Sequence, residues 1–102
     1  MKPRVMVQLK MKASGAGGRI CSFTEGYRPH FRVVGSDVQF AVTAVLCPGA
    51  VAPGDEAEVE FEFDYPTKVD YSPLAVGAEI EMLEGSRAYA TGTILKRDDH
   101  AA

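Results

Sequence analysis

"EAEVEFEFDY", Glu56 to Tyr65, sets five acidic residues on alternate positions, with Ala57, Val59, Phe61, Phe63 and Tyr65 between them. A helix would spread those acids around its circumference. A strand has a side-chain period of two, so it gathers them on one face and the apolar set on the other. The stretch therefore reads as a half-buried antiparallel strand, with Ala57, Val59, Phe61, Phe63 and Tyr65 inward and Glu56, Glu58, Glu60, Glu62 and Asp64 toward water. The acid row reads first as a solvated face, and second as a site for cations or a basic partner.

The same period recurs on either side. Val5, Val7, Leu9 and Met11 alternate with Met6, Gln8, Lys10 and Lys12. Further strands are expected over 29–34, 39–46, 79–83 and 87–96. The last two form a hairpin about Glu84-Gly85-Ser86, where glycine supplies a positive backbone dihedral without a side-chain clash. Ile80 and Met82 are expected inward on its first arm. On the second, Ala88, Ala90, Gly92 and Ile94 share one side, and Tyr89, Thr91, Thr93 and Leu95 the other, so neither side is charged. Connections are marked by Ser14 to Gly18, Pro48-Gly49, Pro53-Gly54-Asp55, Pro66 and Pro73 to Gly77. No segment has sustained helical periodicity with caps. The expected fold is all-β, a six-stranded antiparallel closed barrel, since closure removes the bare edges of a small sheet. Residues 1–97 form one domain and 98–102 a polar C-terminal tail.

The chain has 102 residues, 46% hydrophobic and 25% charged, enough for one core. No run reaches the roughly 18 apolar residues of a membrane helix, and the N-terminus alternates where a signal peptide would be continuously apolar. A cytoplasmic address without membrane contact is expected. Cys21 and Cys47 are expected as free thiols rather than a disulfide framework, and His30 and His100 share no zinc-ligand spacing with them. The net charge of −3 conceals a division: residues 1–34 sum to +6, and the remainder to −9. Two outcomes are open. Lys2, Arg4, Lys10, Lys12, Arg19, Arg28 and Arg32 build a basic patch, or the arginines pair with the later glutamates.

Catalytic signatures are missing. Gly15, Gly17 and Gly18 precede Arg19, but no Lys-Ser or Lys-Thr follows as in a phosphate-binding loop. Cys21 and His30 show no third, orienting group, and Asp37, Asp64 and Asp70 fit no hydrolase pattern. No enzymatic activity and no small-molecule or metal cofactor are expected. Binding residues are easier to name. In "FTEGYRPHF", Phe23 to Phe31, Tyr27, Arg28 and His30 could stack on a base or bracket a phosphate, and Arg32 shares a side with Arg28 if one strand runs through both. The structural alternative is that Arg28 donates to carbonyls of a nearby loop while Phe23, Tyr27 and Phe31 pack the barrel end. Arg19 and Arg87 sit beside loops and suit a surface role.

Six motifs in order carry a resemblance: GGR at Gly17 to Arg19, GYRPHF at Gly26 to Phe31, DV at Asp37-Val38, PGD at Pro53 to Asp55, YP at Tyr65-Pro66, and LEGSR with a later glycine over Leu83 to Gly92. Together they resemble the C-terminal barrel domain of translation elongation factor Tu, from about Val5 to Lys96. The resemblance implies a six-stranded antiparallel barrel without nucleotide chemistry. In that family the domain packs on the other two domains, touches the T-stem backbone of aminoacyl-tRNA and helps bind the exchange factor. By position, the family's motif arginines fall on Arg19, Arg28 and Arg87, and its GYRPQF glutamine on His30. There are departures. Ile20 stands where the family places a tRNA-facing histidine, YP replaces HP, and the last strand carries bulkier Tyr89 and Thr91. The GTPase and middle domains are not in these residues, so a freestanding relative of the barrel is expected. Two functions follow: a protein-interaction module whose partner is translation-related or a second copy, or an RNA-binding module using the early basic residues and the last hairpin. Its candidate surface is Arg19, Tyr27, Arg28, His30, Arg32, Arg87 and Tyr89.

Overall fold

The computed structural model of the chain describes residues 2–13, 15 and 22–99. Six strands are present: β1 (Arg4–Met11), β2 (His30–Val33), β3 (Gln39–Leu46), β4 (Glu56–Phe63), β5 (Glu79–Glu84) and β6 (Arg87–Asp98). They close into an antiparallel barrel in the order β1-β4-β3-β2-β5-β6, with β6 returning to β1. The all-β closed architecture read from the alternation is the one observed. β6 reaches Asp98, the first residue of the expected tail. Arg19, Cys21, His100 and most of the glycine-rich stretch lie outside the described residues.

The acid-bearing strand behaves as its period dictates. Val5 opposes Phe61, Val7 opposes Val59 and Leu9 opposes Ala57, while Arg4, Met6, Gln8 and Lys10 oppose Glu62, Glu60, Glu58 and Glu56. Val59, Phe61 and Phe63 are buried, and the Phe61 ring meets Phe31 edge-on with centroids 4.7 Å apart. Rings at this distance add to what their burial already contributes. The period breaks where β4 ends. Asp64, expected outward, is 8% exposed, and Tyr65, expected inward, is 48% exposed. The chain leaves the ladder after Phe63 and turns, although the Asp64 N–H still donates to the Ala41 carbonyl.

β6 departs from strict alternation twice. Leu83 pairs with Ala88 and Met82 with Ala90, so Tyr89 is an extra residue. Such a bulge turns the following side chains to the other face. Tyr89, expected on the candidate binding surface, is therefore buried at 1%, with Ala90 beside it also buried. A second bulge omits Leu95, since Met6 pairs with Lys96 and Val7 with Ile94. It turns Arg97 to the side of Val5 and leaves Lys96 outside. The hairpin between β5 and β6 has two loop residues, Gly85 and Ser86. Only Gly85 has a positive φ, 62°, which is the type II′ pattern.

The connection from β4 to β5, residues 64–78, crosses one mouth of the barrel and plugs it with Tyr71 and Leu74, both buried. This crossover end also holds the start of β1, the 34–38 turn and the end of β6. The opposite, hairpin end holds Gly85-Ser86, the 47–55 turns and Phe23, which bridges to Val51 through two backbone hydrogen bonds of 3.0 and 2.8 Å.

Candidate functional site

Most of the early arginines are matched by later carboxylates. Arg4 reaches Glu60 at 3.5 Å and Glu62 at 3.6 Å. Arg32 donates to Glu81 Oε1 from Nε at 3.2 Å and from Nη2 at 3.0 Å. Arg28 Nη2 meets Asp64 Oδ2 at 3.3 Å. The barrel order produces this pairing, because β4 lies beside β1 and β5 beside β2. Of the two outcomes open from the charge division, these three arginines follow the paired one.

FTEGYRPHF wraps the hairpin end and the flank of β3. Gly26 donates to the Ala44 carbonyl at 2.8 Å, and Ala44 donates back to Tyr27 at 2.8 Å. Gly26 makes its turn with φ 93°. The Tyr27 ring packs on Phe23 at 4.8 Å, and its hydroxyl is hydrogen-bonded to that of Tyr89. Phe23 and Phe31 are buried. β2 begins at His30, so Arg28 and Arg32 do not share a strand. Arg28 reaches across β3 to Asp64, whose other oxygen accepts from Thr43 Oγ1 at 2.6 Å. It holds a carboxylate, not the loop carbonyls expected for it. His30 is exposed on the same side of β2 as half-buried Arg32, and Arg87 is exposed at the hairpin. The described candidate residues are thus divided among β2, the loop before it, the hairpin and the interior, and they do not converge on one face.

Glu25 clips this end: its Oε2 accepts the Cys47 N–H at 2.7 Å, and Oε1 accepts from Thr24 at 2.6 Å. These donations hold its carboxyl below the usual range. Burial, with the Glu25 charge nearby, pushes the free Cys47 thiol above its ordinary value, which leaves little thiolate at neutral pH.

The crossover end has a different character. Val34, Val38, Tyr65, Val76 and Leu95 stand there 39–63% exposed, whereas Leu46, also open, lies at the other end. Next to Tyr65 is a cleft of 240 Å³ lined by Pro3, Phe63, Pro66, Val69, Asp70, Tyr71, Ser72, Arg97 and Asp99. Phe63 and Tyr71 stack beneath it at 4.2 Å, 6° from parallel. Tyr71 donates its hydroxyl hydrogen to Ala41 O at 2.8 Å, and the Tyr71 hydroxyl oxygen accepts the Tyr65 N–H at 3.2 Å. Arg97 lies over Phe63 at 5.1 Å, donates through Nη1 to the carbonyls of Tyr71 and Leu74 at 2.8 and 2.9 Å, and pairs with Asp99 through Nε at 2.9 Å. It fixes the crossover to β6.

Arg97 and the plug were not named from sequence. An aromatic in a proline- and glycine-punctuated connection, such as Tyr71, is the signal that marks a plug; the bulge that turns Arg97 inward leaves none. Among the described residues no group of three or more His, Cys, Asp or Glu side chains is placed to hold a metal. Nor is any helix there long and apolar enough to cross a membrane. No protein-family model matches the chain.

Proposed function

We propose that this barrel is a non-catalytic protein-interaction module that docks through its crossover end. The observation that carries the reading is that five of the large apolar side chains open to water, Val34, Val38, Tyr65, Val76 and Leu95, belong to that one end, which also holds a cleft. Exposed apolar groups of this kind, rimmed by polar residues, mark contact surfaces. Closure of the sheet supports the same mode, since the barrel has no bare strand edge to extend and a partner must be held by side chains. The motif resemblance to the elongation factor Tu barrel makes a translation-related partner in the cytoplasm the first choice. RNA binding is the second reading, favoured by exposed His30, Arg87 and Lys10 but weakened by the pairing of Arg4, Arg28 and Arg32.

The lysines provide the test. Lys2, Lys68 and Lys96 belong to the crossover end, and Lys10 and Lys12 to the hairpin end. Cross-linking of the full chain with the proteins that co-purify with it, after nuclease treatment, is expected to join the partner to the first three. Cross-links confined to Lys10 and Lys12, or a nuclease-sensitive complex, would overturn the reading. Titration with a stem-loop RNA at two salt concentrations decides the alternative, because phosphate contacts weaken steeply with salt.

A further inference from the structure

The cleft at the crossover end has a chemistry of its own. Its 240 Å³ is below the roughly 300–1,000 Å³ of small-molecule sites, so its scale is that of one side chain. Pro3, Pro66 and Val69 supply apolar walls, and Asp70 and Asp99 supply two carboxylates against the single guanidinium of Arg97. Arg97 is already committed to Asp99 and to two carbonyls, which disfavours an incoming anion. No lysine lines the cleft. Asp70 accepts the Ser72 N–H at 3.0 Å, and this donation, with the Arg97 charge, holds its carboxyl below the ordinary range. The lining thus carries one negative charge in excess, beside walls suited to methylene groups.

We infer that the cleft receives one arginine or lysine side chain of a partner protein, its methylene stem against Pro3, Pro66 and Val69 and its cationic head between Asp70 and Asp99. Long basic side chains pair an apolar stem with a charged tip, which is the combination these walls and carboxylates match. The inference rests on the docking reading above and names the residue that would anchor it. A neutral side chain would leave the excess carboxylate unmatched, and an acidic one would meet like charge.

The experiment is an NMR titration of the isotope-labelled full chain with N-acetyl-Gly-Arg-Gly-amide and with the same peptide carrying citrulline, which keeps the shape and removes the charge. The arginyl peptide is expected to shift the amides of Val69 to Ser72 and of Asp99, with millimolar affinity. Citrulline is expected to bind about fivefold more weakly, the worth of one half-exposed charge pair. Asp70→Asn keeps an acceptor for the Ser72 N–H and should weaken the arginyl peptide similarly, with only a small fall in melting temperature from the lost charge. Equal shifts from both peptides, no shift at these amides, or shifts confined to Glu56–Glu62 would each overturn the inference. Cross-links at Lys2, Lys68 and Lys96 with no peptide response would remove the anchor and keep the docking face. A peptide response with cross-links only at Lys10 and Lys12 would remove the docking face instead.

Discussion

Asp64 is the member of the acid row that the fold withdraws from water, and its partners differ in worth. Thr43 donates to it at 2.6 Å within the barrel wall, while Arg28, with a 64% exposed side chain, reaches it at 3.3 Å. Asp64→Ala should cost about 2 kcal/mol, because it strips a partner from Thr43 as well as from Arg28. Arg28→Ala should cost no more than about 1 kcal/mol, as half-exposed ion pairs do. Urea midpoints would measure both, and equal losses would contradict the clamp described for Asp64. Tyr71 gives a pH-dependent counterpart. Burial pushes its phenol above the ordinary value of 10.0, so the folded state favours the protonated form. That stabilisation is complete below about pH 10 and is lost as pH rises through the raised folded value. Tyr71→Phe should therefore lie about 1 kcal/mol below the native chain at neutral pH, with the gap shrinking in alkaline solution. Denaturant curves at a series of pH values would show it.

β6 carries the most informative geometry at the scale of elements. A Cβ added at Gly92 would lie 2.8 Å from Val7 Cγ1 and 2.9 Å from the Gln8 carbonyl oxygen. The backbone of β1 cannot yield without breaking its pairing, so Gly92→Ala should destabilise by about 1–3 kcal/mol. Thermal melts compared with Thr91→Ala, on the exposed side of the same strand, would isolate the effect. All six strands were legible in the sequence because short apolar or alternating runs are set off by Gly or Pro turns, with the period of two cleanest in β4. The bulges at Tyr89 and Leu95 were not, since one extra residue leaves no mark in local composition. That is why Tyr89 reads as part of a binding surface when it is buried, and why Arg97 draws no notice. The candidate site suffered similarly: the arginines were visible, but their carboxylate partners depend on which strands become neighbours. The apolar groups of the crossover end are scattered from Val34 to Leu95 and come to one end only through the topology.

Across the whole molecule three of the six strand pairings, β1 with β4, β1 with β6 and β2 with β5, join segments far apart in the chain. All-β domains of this kind refold in milliseconds to seconds rather than microseconds, and stopped-flow fluorescence of the tyrosines should place this one in that range. Phe61→Ala, at the centre where β1, β3 and β4 meet, should cost about 3–5 kcal/mol in equilibrium unfolding. The barrel order also bears on how the protein is made. β1 leaves the ribosome before the other five strands, yet its two neighbours are β4 and β6. One edge of β1 therefore stays bare until β4 has emerged and the other until the final strand has, so the barrel cannot close before synthesis reaches β6.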